Sequence, residues 1–286
     1  MTPNRKHTWI VGHDGSDGAD HAVDWAIAQA MGREVELTLL RAWQPQALDV
    51  PMQNVSVDAF APKWVCRNID EITRQASIND TVLTQRIVQG APSQSLLEAS
   101  ESASMVVLGS RGRGGFRRLL LGSVSSQCAT HARVPTVVVP RSATADVPVR
   151  RIVVGLDGSE RSRLALDWAM DFASPVATIL VVGAWMPSRS GYVAVVQHYT
   201  NELDEARDRF NEILDGIETD AGRTMFERRF AFADPAATLL EAGDAADLVV
   251  VGQRGHSGLG AALLGSVSTH VLHRSNVPVA IVPDGD

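Results

Sequence analysis

The chain has 286 residues and a hydrophobic content of 45%, which suits two domains of ordinary size, each with an aliphatic core. It carries 33 acidic against 26 basic side chains, a net charge of −7, which argues against a general nucleic-acid or membrane-surface binder because such proteins need a basic face. The apolar runs are too short to span a bilayer and the polar N-terminus shows no signal peptide, so we expect a cytoplasmic protein.

Strands and helices alternate along the first half of the chain. Apolar periodicity predicts, in chain order, strand 8–11, helix 17–31, strand 35–41, helix 59–77, strand 82–88, helix 93–102, strand 105–108, helix 123–131 and strand 136–139. The second half repeats this order from residue 151 to residue 283. Short apolar strands that alternate with helices predict the α/β class, with doubly wound parallel sheets.

The two halves are copies of each other at an offset of 143 residues (252 − 109). Both contain the pattern G-x2-G-x9-G-S, which begins at Gly109 in the first copy and at Gly252 in the second. Because solenoid repeats are much shorter, this period indicates tandem domains. We expect domain one over residues 1–141, a linker over 142–149 and domain two over 150–286.

We call this pattern the glycine loop, which spans residues 109–123 in the first copy and 252–266 in the second. Its first two glycines let the chain turn with N–H groups pointing inward, a nest that binds an anion. Its last glycine and serine open a helix, whose unbonded N–H groups and dipole suit a phosphate. A structural turn with an N-cap serine is the alternative, but two copies at identical spacing favour nucleotide binding.

The cations of the glycine loops differ between the copies. No Gly-Lys pair occurs, so the Walker A pattern is absent and we expect Arg111 and Arg254 to face the phosphates. The first loop adds three more arginines, whereas the second adds only His256. These are Arg113, Arg117 and Arg118. The four arginines of the first loop form a basic patch, which could be a solvent-exposed rim, a phosphate-binding group or a nucleic-acid contact. The lack of aromatic residues between them disfavours nucleic-acid binding.

Asp14 and Asp157 follow the first strand of each copy. A carboxylate beside a triphosphate would be repelled, so its expected place is the sugar end, where it accepts hydrogen bonds from ribose hydroxyls. The alternative is that each aspartate caps the next helix within the sequence Asp-Gly-Ser, and both roles are compatible.

Several other residues favour structural roles. His270 and His273 are three residues apart on a predicted helix, but a metal site needs more ligands, so none is expected. Cys128 lies in an apolar helical pattern and is expected to be a buried, reduced thiol. Trp25 and Trp168 recur at one point of the first helix and are expected to anchor the cores.

These features resemble the universal stress protein family in its tandem-domain, ATP-binding form, common among actinobacteria. That family shares the pattern G-x2-G-x9-G-[ST] and an aspartate after strand one, and both copies match, over residues 5 to 284. The resemblance implies, in each domain, a five-stranded parallel sheet with helices on both faces, as in the adenine nucleotide alpha-hydrolase-like fold. It also implies ATP with its adenine near strands one and two, its ribose on the aspartate and its phosphates on the glycine loop.

The resemblance assigns cofactor-binding residues to both copies. Those of the first are Gly12, Asp14, Gly109, Ser110, Arg111, Gly112, Arg113, Gly114, Gly122, Ser123 and Val124. Those of the second are Gly155, Asp157, Gly252, Gln253, Arg254, Gly255, Gly265, Ser266 and Val267. Two departures, His13 in place of the aliphatic residue seen at Leu156 and Gln253 in place of Ser110, argue against equal affinity of the two sites.

The function implied is a stress-response regulator that binds one ATP per domain and acts through nucleotide-dependent conformation or partner binding. No catalytic residue is expected, because the loops lack a carboxylate pair to hold a metal and a base to orient water, so Mg²⁺ would be held mainly through ATP phosphates and waters. A slow ATPase or phosphotransferase and a nucleotide-free scaffold stay open as alternatives.

The resemblance also bears on partners. It implies that the last strands, residues 137–139 and 279–282, pair as an internal pseudo-dimer, and it leaves open whether the chain dimerises again. The protein partner is unknown, and the variable segments 45–63 and 186–199 are candidates for partner surfaces or for lids over the sites.

Overall fold

The computed structural model describes residues 7–44, 72–73, 76, 81–112, 121–186, 196–218, 225–255 and 264–284. The chain divides into two compact units, residues 1–148 and 149–286. The boundary between the units falls within the segment predicted as the linker.

Within the described residues, the first unit contains five strands, three complete helices and three further helical residues, Ile72, Thr73 and Ala76. In chain order the strands and complete helices are β1 (Thr8–Gly12), α1 (Asp17–Ala30), β2 (Glu36–Trp43), β3 (Val82–Gln89), α2 (Pro92–Ser100), β4 (Met105–Gly109), α3 (Ser123–His131) and β5 (Thr136–Val139). All strand pairs are parallel, in the order β3-β2-β1-β4-β5. The predicted elements are confirmed with small shifts at their ends, while most of the predicted helix 59–77 lies outside the described residues.

The second unit repeats this topology. Its elements are β6 (Arg151–Gly155), α4 (Glu160–Phe172), β7 (Thr178–Ala184), α5 (Val196–Glu218), β8 (Met225–Ala231), α6 (Pro235–Gly243), β9 (Leu248–Gly252), α7 (Ser266–Arg274) and β10 (Val279–Val282). The strands are again parallel, in the order β8-β7-β6-β9-β10. The expected doubly wound α/β fold is therefore confirmed for each unit.

Among the described residues, no helix has the length and apolar character needed to cross a membrane.

The core of the first unit lies on both faces of its sheet. On one face, Ile10, Leu40 and Val106 form a buried cluster with Leu96 of α2 and Cys128 of α3. On the other face, α1 packs against β4 and β5. Residues 9–12 of β1 and all of β4 are apolar, as expected for strands whose two faces are both covered.

The strand order creates a switch point in each unit. The chain runs outward from β1 through β2 to β3, then crosses back to place β4 on the other side of β1. In open α/β sheets, ligands bind at such a point, outside the carboxyl ends of the strands. The loops that follow β1 and β4, or β6 and β9, therefore meet at one edge.

The segment predicted as a linker is bonded to the first unit. His21 Nε2 lies 2.5 Å from the carbonyl oxygen of Ala143, and Gln29 Nε2 donates to the carbonyl of Val147 at 2.9 Å. Ala143 itself is buried. Both side chains belong to α1, so the connecting segment is anchored along this helix over residues 143–147.

Candidate functional site

A cavity of about 510 Å³ opens at the carboxyl ends of β1 and β4 in the first unit. Its volume falls in the range of about 300–1,000 Å³ that is usual for small-molecule sites. Eight of the predicted binding residues line it, namely Gly12, Asp14, Gly109, Arg111, Gly112, Gly122, Ser123 and Val124. The structure therefore brings the aspartate turn and the glycine loop together around one space.

One wall of this cavity is apolar, and the sequence interpretation missed it. The wall comes from the end of β2, the start of α2 and the residues around the glycine loop. Its members are Leu40, Ala42, Pro92, Leu96, Leu108 and Leu121. The predicted strand positions could have revealed this wall, because in a parallel sheet the ends of β2 and β3 reach the same edge as the end of β1. An apolar wall beside a few polar groups is typical of small-molecule sites.

The floor of the cavity needs glycine at the end of β1. A Cβ atom on Gly12 would overlap the Leu108 side chain and lie 3.1 Å from Leu96. Gly155 has the same position in the second unit, where a Cβ would lie 3.1 Å from Leu239. A larger residue at either position would therefore displace its apolar neighbours.

The turn after β1 fixes the orientation of Asp14. Gly15 adopts a φ of 78°, which favours glycine, and Ser16 caps α1 by accepting a hydrogen bond from the Ala19 N–H at 3.3 Å. Asp14 Oδ1 accepts hydrogen bonds from the Ser16 N–H at 3.1 Å and from its hydroxyl at 2.6 Å. The alternative in which the aspartate itself caps the helix is therefore wrong, because Ser16 is the cap and Asp14 supports it.

The other carboxylate oxygen of Asp14 faces the glycine loop. A Cβ on Gly112 would overlap Asp14 Oδ2, and a Cβ on Gly255 would lie 2.5 Å from Asp157 Oδ2. Asp157 repeats the turn, since its Oδ1 accepts from the Ser159 N–H at 3.0 Å and from the Ser159 hydroxyl at 2.6 Å. In both units the aspartate thus lies directly against the second glycine of the loop.

Hydrogen bonds fix the two ends of the glycine loop. The Gly122 N–H donates to the Ser110 carbonyl at 2.8 Å, and the Ser125 hydroxyl donates to the Gly109 carbonyl at 2.7 Å. The corresponding residues of the second unit make the same two bonds at 2.9 and 2.7 Å. Ser110 and its counterpart Gln253, both predicted to bind the cofactor, thus use their backbone carbonyls to hold the loop.

The first turn of α3 lies beside the cavity. Its N-cap, Gly122, makes no side-chain cap hydrogen bond, and Ser123 and Val124 of this turn line the cavity. The N-cap of α7, Gly265, likewise lacks a side-chain cap bond, and Ser266 and Val267 follow it. The first-turn N–H groups and the positive end of the helix dipole are therefore suited to an anion.

His13 is a buried wall residue of the cavity, a position at which the second copy has Leu156. Its Nδ1 accepts from the Gly15 N–H at 3.2 Å, and its Nε2 lies 2.8 Å from Asp20 Oδ1, a pattern that fits the neutral tautomer with hydrogen on Nε2. Desolvation on burial lowers the pKa of His13 from its ordinary 6.5, against the opposing influence of its hydrogen bond to Asp20.

The two predicted phosphate-facing arginines have different surroundings. Arg111 is exposed and lines the cavity. The side chain of Arg254 is only 17% exposed, and its Nη1 lies 3.7 Å from Asp284 Oδ2. Asp284 also forms an ion pair with Arg161, whose Nε lies 2.6 Å from Oδ1. The second site thus contains a carboxylate next to its loop arginine.

The remaining predicted residues fall into two groups. Several lie outside the described residues, namely Arg113, Gly114, Arg117, Arg118 and His256. Of the others, His270 and His273 are exposed on α7 and Trp25 and Cys128 are buried, whereas Trp168, expected to anchor the second core, is only half-buried. Over the described part of the chain, no group of three or more potential metal-ligating side chains comes together.

Comparison with known proteins agrees with this architecture. The model of the Universal stress protein family matches residues 7–140 and 148–283. The universal stress protein Rv2005c of Mycobacterium tuberculosis is 33% identical over 296 residues, which cover 98% of each chain. A universal stress protein of Mycolicibacterium smegmatis is 33% identical over 288 residues, which cover 96% of each chain.

A solved structure shows the same fold. It is that of a universal stress protein from Archaeoglobus fulgidus, which superposes with a TM-score of 0.68 and covers 97% of this chain and 98% of its own. The two are 19% identical in sequence, so this likeness concerns the fold alone. Two family matches that together span nearly the whole chain are decisive, and the protein belongs to the universal stress protein family.

Proposed function

We propose that the protein is a cytoplasmic stress-response regulator that binds one ATP per domain. The observation that carries this proposal is the cavity of the first unit, where an apolar wall, a fixed carboxylate and a glycine loop with an uncapped helix N-terminus converge. These are the three kinds of group needed for a base, a sugar and a phosphate chain.

Each part of a bound nucleotide would have its own group of residues. The base would pack on the apolar wall near Leu40 and Leu96, and Asp14 would accept hydrogen bonds from the ribose hydroxyls. The backbone N–H groups of the glycine loop and of α3, with the Ser123 hydroxyl and Arg111, would hold the phosphates. Mg²⁺ would be held mainly by phosphate oxygens and waters.

The titratable groups of the cavity favour binding over turnover. Among its lining residues, Asp14 and His13 are those whose side chains could accept a proton from water. Asp14 Oδ1 is engaged by Ser16, and both ring nitrogens of His13 are engaged within the β1–α1 region. ATP would then act by favouring one conformation or one protein partner, which requires different affinities for the two states.

The test is to place a side chain where each glycine loop meets its aspartate. Gly112→Val and Gly255→Val, combined in one chain, would introduce a Cβ against Asp14 and Asp157. We expect titration calorimetry with Mg²⁺ and ATP to give two sites in the wild type and loss of measurable binding in the double variant. Gly216→Val is the matched control, because a Cβ at this position in α5 meets no atom within 4 Å.

Two results would contradict the proposal. One is a wild-type protein that shows neither calorimetric binding nor a thermal shift with ATP, since a saturating ligand should stabilise a protein by about 3 kcal/mol at a hundred times its Kd. The other is a double variant that keeps wild-type affinity while Gly216→Val does the same.

A further inference from the structure

We propose that Asp284 makes the second site select against long phosphate chains, so that the two sites of one protein prefer nucleotides of different charge. The first site would prefer nucleoside triphosphates and the second would prefer monophosphates. This inference rests on the proposed function, in which both sites bind ATP, and states how the two sites differ in their selectivity between ATP and AMP.

Asp284 occupies the position that Arg141 occupies in the first unit. Each residue follows the proline after the last strand of its unit, and the two are 143 residues apart (284 − 141), as are the glycines of the two loops. Arg141 Nη2 lies 2.6 Å from Asp17 Oδ2, and both side chains are largely exposed, at 61% and 82%. The first unit therefore has an exposed cation, paired with Asp17, where the second has a carboxylate paired with Arg161.

This position lies beside the glycine loop in both units. In the first, a Cβ added at Gly18 would lie 2.7 Å from the Arg111 carbonyl oxygen and 3.8 Å from Arg141 Cγ. In the second, a Cβ added at Gly252 would lie 3.0 Å from the Arg161 carbonyl and 3.3 Å from the Arg254 carbonyl. The start of the first helix of each unit thus packs against the loop at the corner where the residue after the last strand is held.

The charge of Asp284 is fixed at this corner by two arginines. Arg161 Nε lies 2.6 Å from one carboxylate oxygen, and Arg254 Nη1 lies 3.7 Å from the other. The three side chains are 17–35% exposed, so water screens them less than it screens Arg141 and Asp17. A carboxylate in this position acts as a built-in anion that competes with a phosphate for Arg254.

The loss of affinity caused by Asp284 should increase with the number of phosphates in the ligand. One phosphate can be held by the backbone N–H groups of the loop and the N-terminus of α7, which need no cationic side chain. Each further phosphate adds negative charge that the loop arginine would have to balance. In the second unit that arginine already faces Asp284, so the cost falls mainly on diphosphates and triphosphates.

The sequence of the two loops agrees with this division. Between its second and third glycines, the first loop contains three arginines, whereas the corresponding nine residues of the second contain no arginine or lysine. The copy with Arg141 is therefore also the copy whose loop is rich in positive charge.

The experiment measures the selectivity of each site separately. Gly112→Val disables the first site and leaves the second, and Gly255→Val does the reverse. In the Gly112→Val background, titration with ATP and with AMP should show tighter binding of AMP. Adding Asp284→Asn should then raise the affinity for ATP about fivefold, the upper size expected for one partly exposed ion pair, and change that for AMP less than about twofold.

Three further variants separate selectivity from a structural role. Asp215→Asn is the matched control, because it removes one negative charge and an ion pair of the second unit, the 2.7 Å contact with Arg228, without touching the site. Asp284→Glu keeps the charge and should keep the preference for AMP. Arg141→Asp, placed in the Gly255→Val background, should lower the affinity of the first site for ATP about fivefold and spare AMP.

The outcomes distinguish this inference from the proposed function. If the Gly255→Val protein binds no nucleotide, the proposed function itself is wrong. If it binds ATP but the ratio of ATP to AMP affinity at the second site is unchanged by Asp284→Asn, or changes equally with Asp215→Asn, then nucleotide binding stands and the role of Asp284 is overturned. Should Asp284→Asn fail to fold, Arg141→Asp decides the question, and an unchanged ratio there overturns the inference.

Discussion

The two candidate sites of this protein repeat their backbone and differ in their charges. The Asx turn, the serine cap and the two hydrogen bonds that close each glycine loop occur in both units at nearly the same distances. Asp14 and Arg111 recur as Asp157 and Arg254, but other ionisable side chains around the sites do not, since His13 corresponds to Leu156 and Arg141 to Asp284. After duplication, the main-chain cradle was kept while the groups that set its electrostatic potential diverged.

The cores show a similar divergence beneath a shared fold. Trp25 and Trp168 are equivalent, and both were expected to anchor a core. Trp25 is 1% exposed and meets that expectation, whereas Trp168 is half-buried and stacks on Phe172 with ring centroids 4.9 Å apart. Equivalent tryptophans are thus expected to contribute different amounts to the free energy of unfolding of the two units.

The largest expected effect concerns this tryptophan pair. Trp25→Ala should lower the free energy of unfolding of the first unit by about 3–5 kcal/mol, because it leaves a cavity at a fully buried position. Trp168→Ala should cost about 1–2 kcal/mol, because part of its surface is already exposed and its ring interaction is worth about 1 kcal/mol. Urea unfolding followed by circular dichroism measures both, and equal losses would contradict the comparison.

A smaller effect is expected from His13, and it depends on pH. The folded protein lowers the pKa of this histidine, so below about pH 6.5 the unfolded chain binds more protons than the folded one. Stability from this group is therefore complete above pH 6.5 and is lost as pH falls through the folded pKa, by at most about 1.4 kcal/mol per pH unit.

The substitution His13→Leu, which copies Leu156, should remove this part of the pH dependence. Urea midpoints of wild type and variant at pH 7.5 and 5.5 give the comparison, because the titrating groups other than His13 and its partner Asp20 are common to both. If the two proteins lose the same stability on acidification, burial of His13 does not act in this way.

The smallest effect is expected at Cys128, which corresponds to Val271 in the second unit. Both side chains are buried, and burial raises the pKa of the Cys128 thiol to about 12, so the unreactive protonated form is favoured. Cys128→Val should change the free energy of unfolding by less than about 1.5 kcal/mol, as for other swaps of similar volume. In a Cys66→Ser background, rapid labelling of the native protein by a thiol reagent at pH 8 would contradict this assignment.

The sequence predicted what depends on local pattern and repetition. Residues 17–30 form the expected helix because an N-cap serine precedes a regular apolar face, and the glycine spacing located the loop that lines the cavity. Long-range packing was not predictable in this way. The apolar wall at Leu40 and Leu96 depends on β2 and α2 reaching the same sheet edge, and the contact of Asp284 with Arg161 joins residues 123 positions apart in the chain (284 − 161).

The hydroxyl of Ser125 and its counterpart Ser268 have a consequence for how such a domain evolves. Each donates to the carbonyl at the start of its glycine loop, so the two ends are tied together by atoms that lie outside the variable part. Nine residues lie between the second and third glycines, and they differ at most positions between the copies. Because the hydrogen bonds at the two ends of the loop do not involve the intervening residues, substitutions there need not disrupt the fold. After gene duplication, the ligand specificity of one copy can therefore change while its fold is kept.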